Sequence, residues 1–271
     1  MSGFRVGRDE NGLDLEVDLF APMMSVVSGA TRSGKSSFMY GVLALAAEHP
    51  HVDVVGVDPS GILLAPFADA YAGTDLEPWY HLGTADPEHA IAVVEGLVAI
   101  MDGRLALLRN AGTDQIPLAA FADTFPLVLA VFEEYAGALT WLSGVDQGRK
   151  PADRLQSRFL GAVGRLLREG AKTGVRCWIV TQIPRAEILT DRAQLARRVS
   201  FRLPSATEVR MLFEAADSDL VERLSNAAPG VGLIHEAGQP HRLFRATAAL
   251  DYAAYRSRVL AARGTARRNG D

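Results

Sequence analysis

The sequence predicts an α/β fold, one domain on a mostly parallel sheet flanked by helices. Three observations carry this. Apolar, β-branched runs alternate with stretches of helical period: Met23–Val27, a helix from Lys35 to about Glu48, then Val52–Val57. Phe125–Phe132 and Val175–Val180 are apolar almost throughout, as strands covered on both faces are. The composition, 48% hydrophobic and 22% charged over 271 residues, excludes a disordered chain and leaves ample material for a core.

Each element has its own signal. The run Met23–Val27 stops at Ser28-Gly29, and the helix after it places Phe38, Val42, Leu45 and Ala46 on one face. Asp58-Pro59-Ser60-Gly61 closes the second strand; Asp58 reads either as a turn former, the better fit to its setting, or as a polar support to a site. Asp86 is placed to cap a long helix with Pro87 in its first turn, and Ile91, Val94, Leu97, Met101, Leu105 and Leu108 step by three or four along its buried face. Asn110-Ala111-Gly112 ends it. Ser143–Asp153 is polar and holds Gly144, Gly148 and Pro151, so it reads as a loop. Leu155, Phe159, Val163 and Leu167 mark the next helix. Beyond Pro184 come a short strand at Val199–Leu203 and helices over Glu208–Phe213 and Leu220–Asn226. A short hairpin follows (Gly232–His235 with Arg242–Arg245), then a last helix, Asp251–Arg263, and a frayed tail, Gly264–Asp271. No repeat or linker divides the chain, so residues 1–263 are expected to form one domain.

The net charge is −4, so any nucleic-acid contact must be local or assembled from several subunits. The single cysteine, Cys177, lies in an apolar strand and reads as a buried, inert thiol. The polar start of the chain lacks a secretory pattern, and no apolar run is long enough to span a bilayer, so a soluble, cytoplasmic protein is expected.

The chemistry is concentrated in Gly29-Ala30-Thr31-Arg32-Ser33-Gly34-Lys35-Ser36, a full match to the pattern G-x-x-x-x-G-K-[ST] between a strand and a helix. Its glycines let the backbone curl so that successive N–H groups converge on phosphate oxygens, and the helix start adds partial positive charge. Lys35 is expected at the β and γ phosphates and Ser36 on Mg²⁺, with Gly29 to Ser37 as the nucleotide-binding stretch. Such a loop needs acid at a neighbouring strand end, and Glu133-Glu134, directly after Leu127–Phe132, supplies it. One carboxylate would hold Mg²⁺ and the other polarise the attacking water. Gln182 follows another buried strand; its amide could bond a γ-phosphate or a water at the same edge, or simply face solvent.

These segments resemble the FtsK/SpoIIIE motor ATPases. Ser28–Ser37 (SGATRSGKSS) is similar to their phosphate loop, Val54–Pro66 to their second strand and turn, with Ser60 where lysine is common, and Leu82–Arg109 to their long helix. Val128–Ala136 (VLAVFEEYA) resembles their acidic strand, Gly174–Pro184 (GVRCWIVTQIP) their sensor strand, and Ser200–Leu212 and Pro229–Ile234 the segments after it. The resemblance covers residues 10–250 in matching order. It implies a RecA-like P-loop NTPase core and ATP-driven movement of double-stranded DNA through a homo-oligomeric ring, a homo-hexamer. It carries over Lys35 and Ser36 as ligands of ATP and Mg²⁺, Glu133 and Glu134 as the acidic pair, with Glu133 toward the metal and Glu134 toward water, and Gln182 as sensor. A protein-secreting relative of the type VII kind and a regulatory nucleotide-binding module are the alternatives. With no membrane anchor and no C-terminal DNA-reading module, the chain resembles stand-alone relatives of plasmids, integrative elements and phages.

Three departures stand out: Glu133 replaces the family's aspartate, the chain ends near the motor core, and Gly170-Ala171-Lys172 holds no arginine where the family usually has one for the neighbouring subunit's ATP. Arg168, Lys172 or Arg210 is the expected substitute, with Arg176 and Arg202 also near. Arg149 and Lys150 read as lumen contacts or, the more usual case, as a solvated loop.

Overall fold

The computed structural model describes residues 3–122 and 125–266. The strands are β1 (Phe4–Asp9), β2 (Asp14–Val17), β3 (Ser25–Ser28), β4 (Val52–Asp58), β5 (Tyr80–Leu82), β6 (Leu127–Phe132), β7 (Val175–Thr181), β8 (Arg197–Phe201), β9 (Val231–Glu236) and β10 (Arg242–Ala246). They form one sheet in the order β2-β1-β10-β9-β8-β3-β7-β6-β4-β5. The six strands from β5 to β8 in that order run parallel, and the other four extend the sheet antiparallel. The expected α/β class and mostly parallel sheet are what the chain adopts, with the architecture of a RecA-like core.

The helices are α1 (Lys35–Glu48), α2 (Ala65–Tyr71), α3 (Pro87–Ala111), α4 (Tyr135–Val145), α5 (Leu155–Glu169), α6 (Ala206–Leu212), α7 (Ser218–Ser225) and α8 (Tyr252–Ala266). Every residue of β3, β6 and β7 is buried, which requires cover on both faces. Two helix groups supply it: α1 and α2 both pack on α8, and α3 and α4 both pack on α5. At the start of α3 the Asp86 carboxylate accepts the His89 N–H at 3.0 Å, Pro87 needs no partner for a missing N–H, and Gly112 closes the helix at φ 66°.

The structure departs from the sequence reading at several places. The polar N-terminus forms the hairpin β1–β2 on the outer edge of the sheet. The turn runs from Asp9 to Gly12, the Gly12 N–H donating to the Asp9 carbonyl at 3.0 Å and Gly12 at φ 78°, with the Asp9 carboxylate accepting the N–H groups of Asn11 and Leu13 at 2.9 Å, and Val6, Leu15 and Val17 point inward. The expected loop at Ser143–Asp153 starts with the last turn of α4, because Trp141 and Leu142 continue its buried stripe. The last helix continues through Gly264 to Ala266; the rest of the expected tail, residues 267–271, lies outside the described residues.

Residues 247–250 strap α1 against β1. The N–H of Thr247 bonds the Val6 carbonyl at 3.0 Å, and that of Leu250 bonds the Ser37 carbonyl at 3.1 Å. The strap passes so close to α1 that a Cβ on Gly41 would stand 1.7 Å from the Ala248 carbonyl oxygen. Gly41→Ala therefore forces the strap off the helix. We expect it to lower stability by about 1–3 kcal/mol, as overpacking does; a urea midpoint equal to that of the wild type would overturn this.

Candidate nucleotide site

Parallel pairing sets the site. Ser28 at the end of β3 is opposite Thr181 at the end of β7, and Phe132 at the end of β6 is opposite Ile179. Gly29, Gln182 and the pair Glu133-Glu134 thus leave the sheet at one edge, with Gln182 between the other two.

The loop from Gly29 to Lys35 curls against the chain's C-terminal part. The Ala30 N–H donates to the Arg202 carbonyl at 2.9 Å, and the Gly230 N–H donates to the Ser33 carbonyl at 2.8 Å. Gly34 holds φ 106°, and a Cβ there would meet the Gly230 nitrogen at 2.6 Å, so this glycine is needed for both conformation and clearance. Gly34 is also the N-cap of α1 and offers no side chain to the first helical N–H groups, which leaves them for an anion. The loop borders a cleft of about 330 Å³ lined by Thr31, Arg32, Lys35, Ser36, Glu134 and Gln182, among others.

Four of these side chains form one chain of contacts. The Lys35 ammonium lies 3.4 Å from Oε1 of Glu134, and the Gln182 amide donates to the same oxygen at 2.7 Å. The Thr31 hydroxyl donates to the Gln182 carbonyl oxygen at 3.2 Å. The structure therefore brings Lys35, Glu134 and Gln182 together, and adds Thr31 as the residue that fixes the orientation of the Gln182 amide. Glu134 sits at φ 44°, in the left-handed region, as the residue entering α4.

Glu133 occupies a different environment. It is buried, its Oε2 has no hydrogen-bond partner, and it lines a second cavity of about 160 Å³ with Ser36, Tyr40 and Ser60. Burial lifts its pKa to about 7; Lys35 draws the value down, and Asp58 and Glu134 push it up. An orphaned buried carboxylate oxygen and a serine hydroxyl on one small cavity are hard oxygen donors that fit Mg²⁺. Asp58 is committed to its turn: its carboxylate accepts the N–H of Ser60, Gly61 and Leu64 at 3.0–3.1 Å and the Ser60 hydroxyl at 2.6 Å.

The structure also sorts the outlying cations. Arg149 pairs with Glu88 at 2.9 Å, whereas Lys150 is exposed. Arg168 pairs with Asp191 at 2.7 Å, and Arg210 bonds the Ser218 hydroxyl at 3.0 Å. Arg176 is buried at the far end of β7, its guanidinium donating to the carbonyls of Phe20, Ala21 and Ala171, so it holds the fold and does not face a neighbour. Arg202 is half-buried beside the phosphate loop, and Lys172 is exposed. Cys177 is fully buried, and burial pushes its thiol up to about 12.

The family model described as FtsK/SpoIIIE family matches residues 5–227. The chain belongs to the FtsK/SpoIIIE family. It is a P-loop ATPase of that family. Among curated relatives it is 25% identical over 260 residues to the DNA translocase FtsK of Tropheryma whipplei (strain TW08/27), covering 88% of this chain and 32% of that protein. It is 23% identical over 250 residues to the DNA translocase SftA of Bacillus subtilis (strain 168), covering 88% of this chain and 24% of that protein. The chain thus spans a third or less of the length of these relatives. Among solved structures, the pCW3 conjugation coupling protein TcpA, in its monomer form with ATPγS, shares the fold at a TM-score of 0.73 and 20% identity, over 96% of this chain and 70% of that one. EssC ATPases 2 and 3 from Geobacillus thermodenitrificans share it at 0.72 and 16%, over 99% of this chain and 50% of that one. Among the described residues, no helix is long and apolar enough to cross a membrane.

The raised pKa of Glu133 gives a pH signature. Its folded value, about 7, lies above the ordinary 4.5, so the unfolded chain ionises first as pH rises. The resulting loss of stability accumulates between about pH 4.5 and pH 7 and is constant above that. Glu133→Gln removes it. In urea melts of nucleotide-free protein we expect the variant to be about 1–3 kcal/mol more stable than wild type at pH 8, with the gap closing toward pH 5. A gap that does not change with pH would refute the buried ionisation.

Proposed function

We infer that the chain is a single motor domain that binds ATP with Mg²⁺ in the cleft, hydrolyses it, and moves double-stranded DNA through a homo-hexameric ring in the cytoplasm. The observation that carries this reading is the double grip on Glu134 by Lys35 and Gln182 above the phosphate loop. An incoming triphosphate competes with Glu134 for the Lys35 ammonium. The carboxylate so released stays hydrogen-bonded to Gln182 and can accept a proton from a water beside the γ-phosphate. Gln182, steadied by Thr31, reports the state of that water or phosphate to the loop after β7. Gly29, Ala30, Thr31, Arg32, Ser33 and Gly34 wrap the phosphates, with Ser37 in the first turn of α1 beside them. Ser36 and Glu133 would hold Mg²⁺, which when bound neutralises charge on the β and γ phosphates.

Support for DNA as cargo comes from the two relatives, both named DNA translocases. An acidic subunit is compatible with this, because a few unpaired cations per copy converge on one duplex in a ring.

Two measurements test the reading. Glu134→Gln keeps the shape and removes the base, so turnover should fall by about 10²–10⁴ while ATP still binds; unchanged turnover would refute the role of Glu134. Double-stranded DNA should raise the ATPase rate of the wild type, and the gain should fade as salt rises through counterion release. A rate indifferent to DNA at low salt would favour the protein-moving or regulatory alternatives.

A further inference from the structure

Among the described residues, two non-glycine residues have positive φ: Glu134 at 44° and Arg32 at 62°. Both line the same cleft. The left-handed region costs an L-residue about 1–2 kcal/mol, which glycine would not incur. Such strain persists where the surroundings determine it, and it clusters at functional sites. For Glu134 the gain is visible, since the conformation aims its carboxylate at Lys35 and Gln182. For Arg32 no side-chain contact offsets the strain. The residue is exposed, and its guanidinium has no hydrogen-bond or ion-pair partner among the described residues.

Many of the chain's other arginines are held by the fold. Arg158, Arg165, Arg168, Arg256 and Arg258 each pair with a carboxylate within 3.0 Å. Arg104, Arg176 and Arg263 are buried on backbone carbonyls. An unpaired guanidinium on a strained backbone, at the lip of a phosphate cradle that already holds Lys35, is arranged for an anion that arrives from solution.

We propose that Arg32 binds the terminal phosphates of a nucleoside triphosphate held in its own subunit's cleft, supplying in cis the guanidinium that the stretch Gly170-Ala171-Lys172 lacks. This rests on the proposed nucleotide site and deepens it. Arg32 then discriminates ATP from ADP within one subunit, because the γ-phosphate is the part of the ligand that changes on hydrolysis. An Arg placed to contact that group also stabilises charge as it builds up during transfer.

The test is binding of ATPγS and of ADP to the isolated subunit, with Mg²⁺, by wild type, Arg32→Gln, Arg32→Lys and Lys35→Ala. Arg32→Gln keeps a Cβ and drops the charge. It should weaken ATPγS binding about 10-fold or more and ADP binding several-fold less, and Arg32→Lys should recover part of the loss. Lys35→Ala should weaken both ligands. If wild type binds neither nucleotide, the nucleotide reading itself fails. If wild type binds, Lys35→Ala does not, and Arg32→Gln matches wild type for both ligands, the role of Arg32 fails alone. Mixing fixes the direction. Arg32→Gln and Lys35→Ala subunits should not restore each other's turnover, since each defect lies in the site of its own subunit. Restored turnover would mean that Arg32 reaches the neighbour's nucleotide and would overturn the cis assignment.

Discussion

Because β3, β7 and β6 run parallel and pair residue for residue, the phosphate loop, Gln182 and the two glutamates reach one edge without further adjustment. The order of the strands does as much as their direction. β7 lies between β3 and β6, so an amide on its end can touch a threonine of the loop on one side and a glutamate on the other. If β6 paired directly with β3, Glu134 and Lys35 could still meet, but no group would stand between them. The register is in turn fixed by burial. These strands are buried on both faces, and a slip by one residue would change which side chain each helix layer meets.

Two adjacent glutamates with the same chemistry are separated by their surroundings. Glu133, just past the end of its strand, is buried with one oxygen lacking a partner, and burial favours its neutral form. Glu134, one residue on, takes a left-handed turn into the cleft and meets a cation and an amide. Pairs whose environments differ in this way can divide acid, base and metal-holding work between them. The extra methylene of Glu133 relative to the family's usual aspartate has room here, since the side chain projects into a cavity shared with Ser36 and Ser60.

Much of this was legible in the sequence because it depends on local pattern. The apolar runs Leu127–Phe132 and Val175–Val180, the glycine spacing around Lys35 and the Asp86-Pro87 cap each specify their own geometry. The N-terminal hairpin was missed although the Asn11-Gly12 pair in its turn is a strong local signal: Arg5, Arg8, Asp9 and Glu10 made the segment look polar, while the inward set Val6, Leu15 and Val17 is split across the turn. The contact of Thr31 with Gln182, 151 residues apart, has no local signature. Nor does the left-handed backbone at Arg32.

The distribution of arginine bears on where unsatisfied charge can act. On the helices flanking the sheet, guanidinium groups are matched by carboxylates one helix away: Arg158 with Glu95, Arg165 with Asp102, Arg258 with Glu48. At the sheet edge opposite the cleft, Arg104 and Arg176 are buried on carbonyls of the chain entering and leaving the strands, and burial lowers both to about 10. Those groups are held by the fold and are poor candidates for a ligand that comes and goes, because recruiting one would leave a buried carbonyl or a carboxylate without its partner. A reversible phosphate contact is better made by a cation whose loss from the fold leaves nothing unsatisfied. By that criterion Arg32 suits a reversible phosphate contact better than Arg168, Arg176 or Arg210, each of which the fold already holds, and its φ of 62° is the kind of strain that clusters at functional sites.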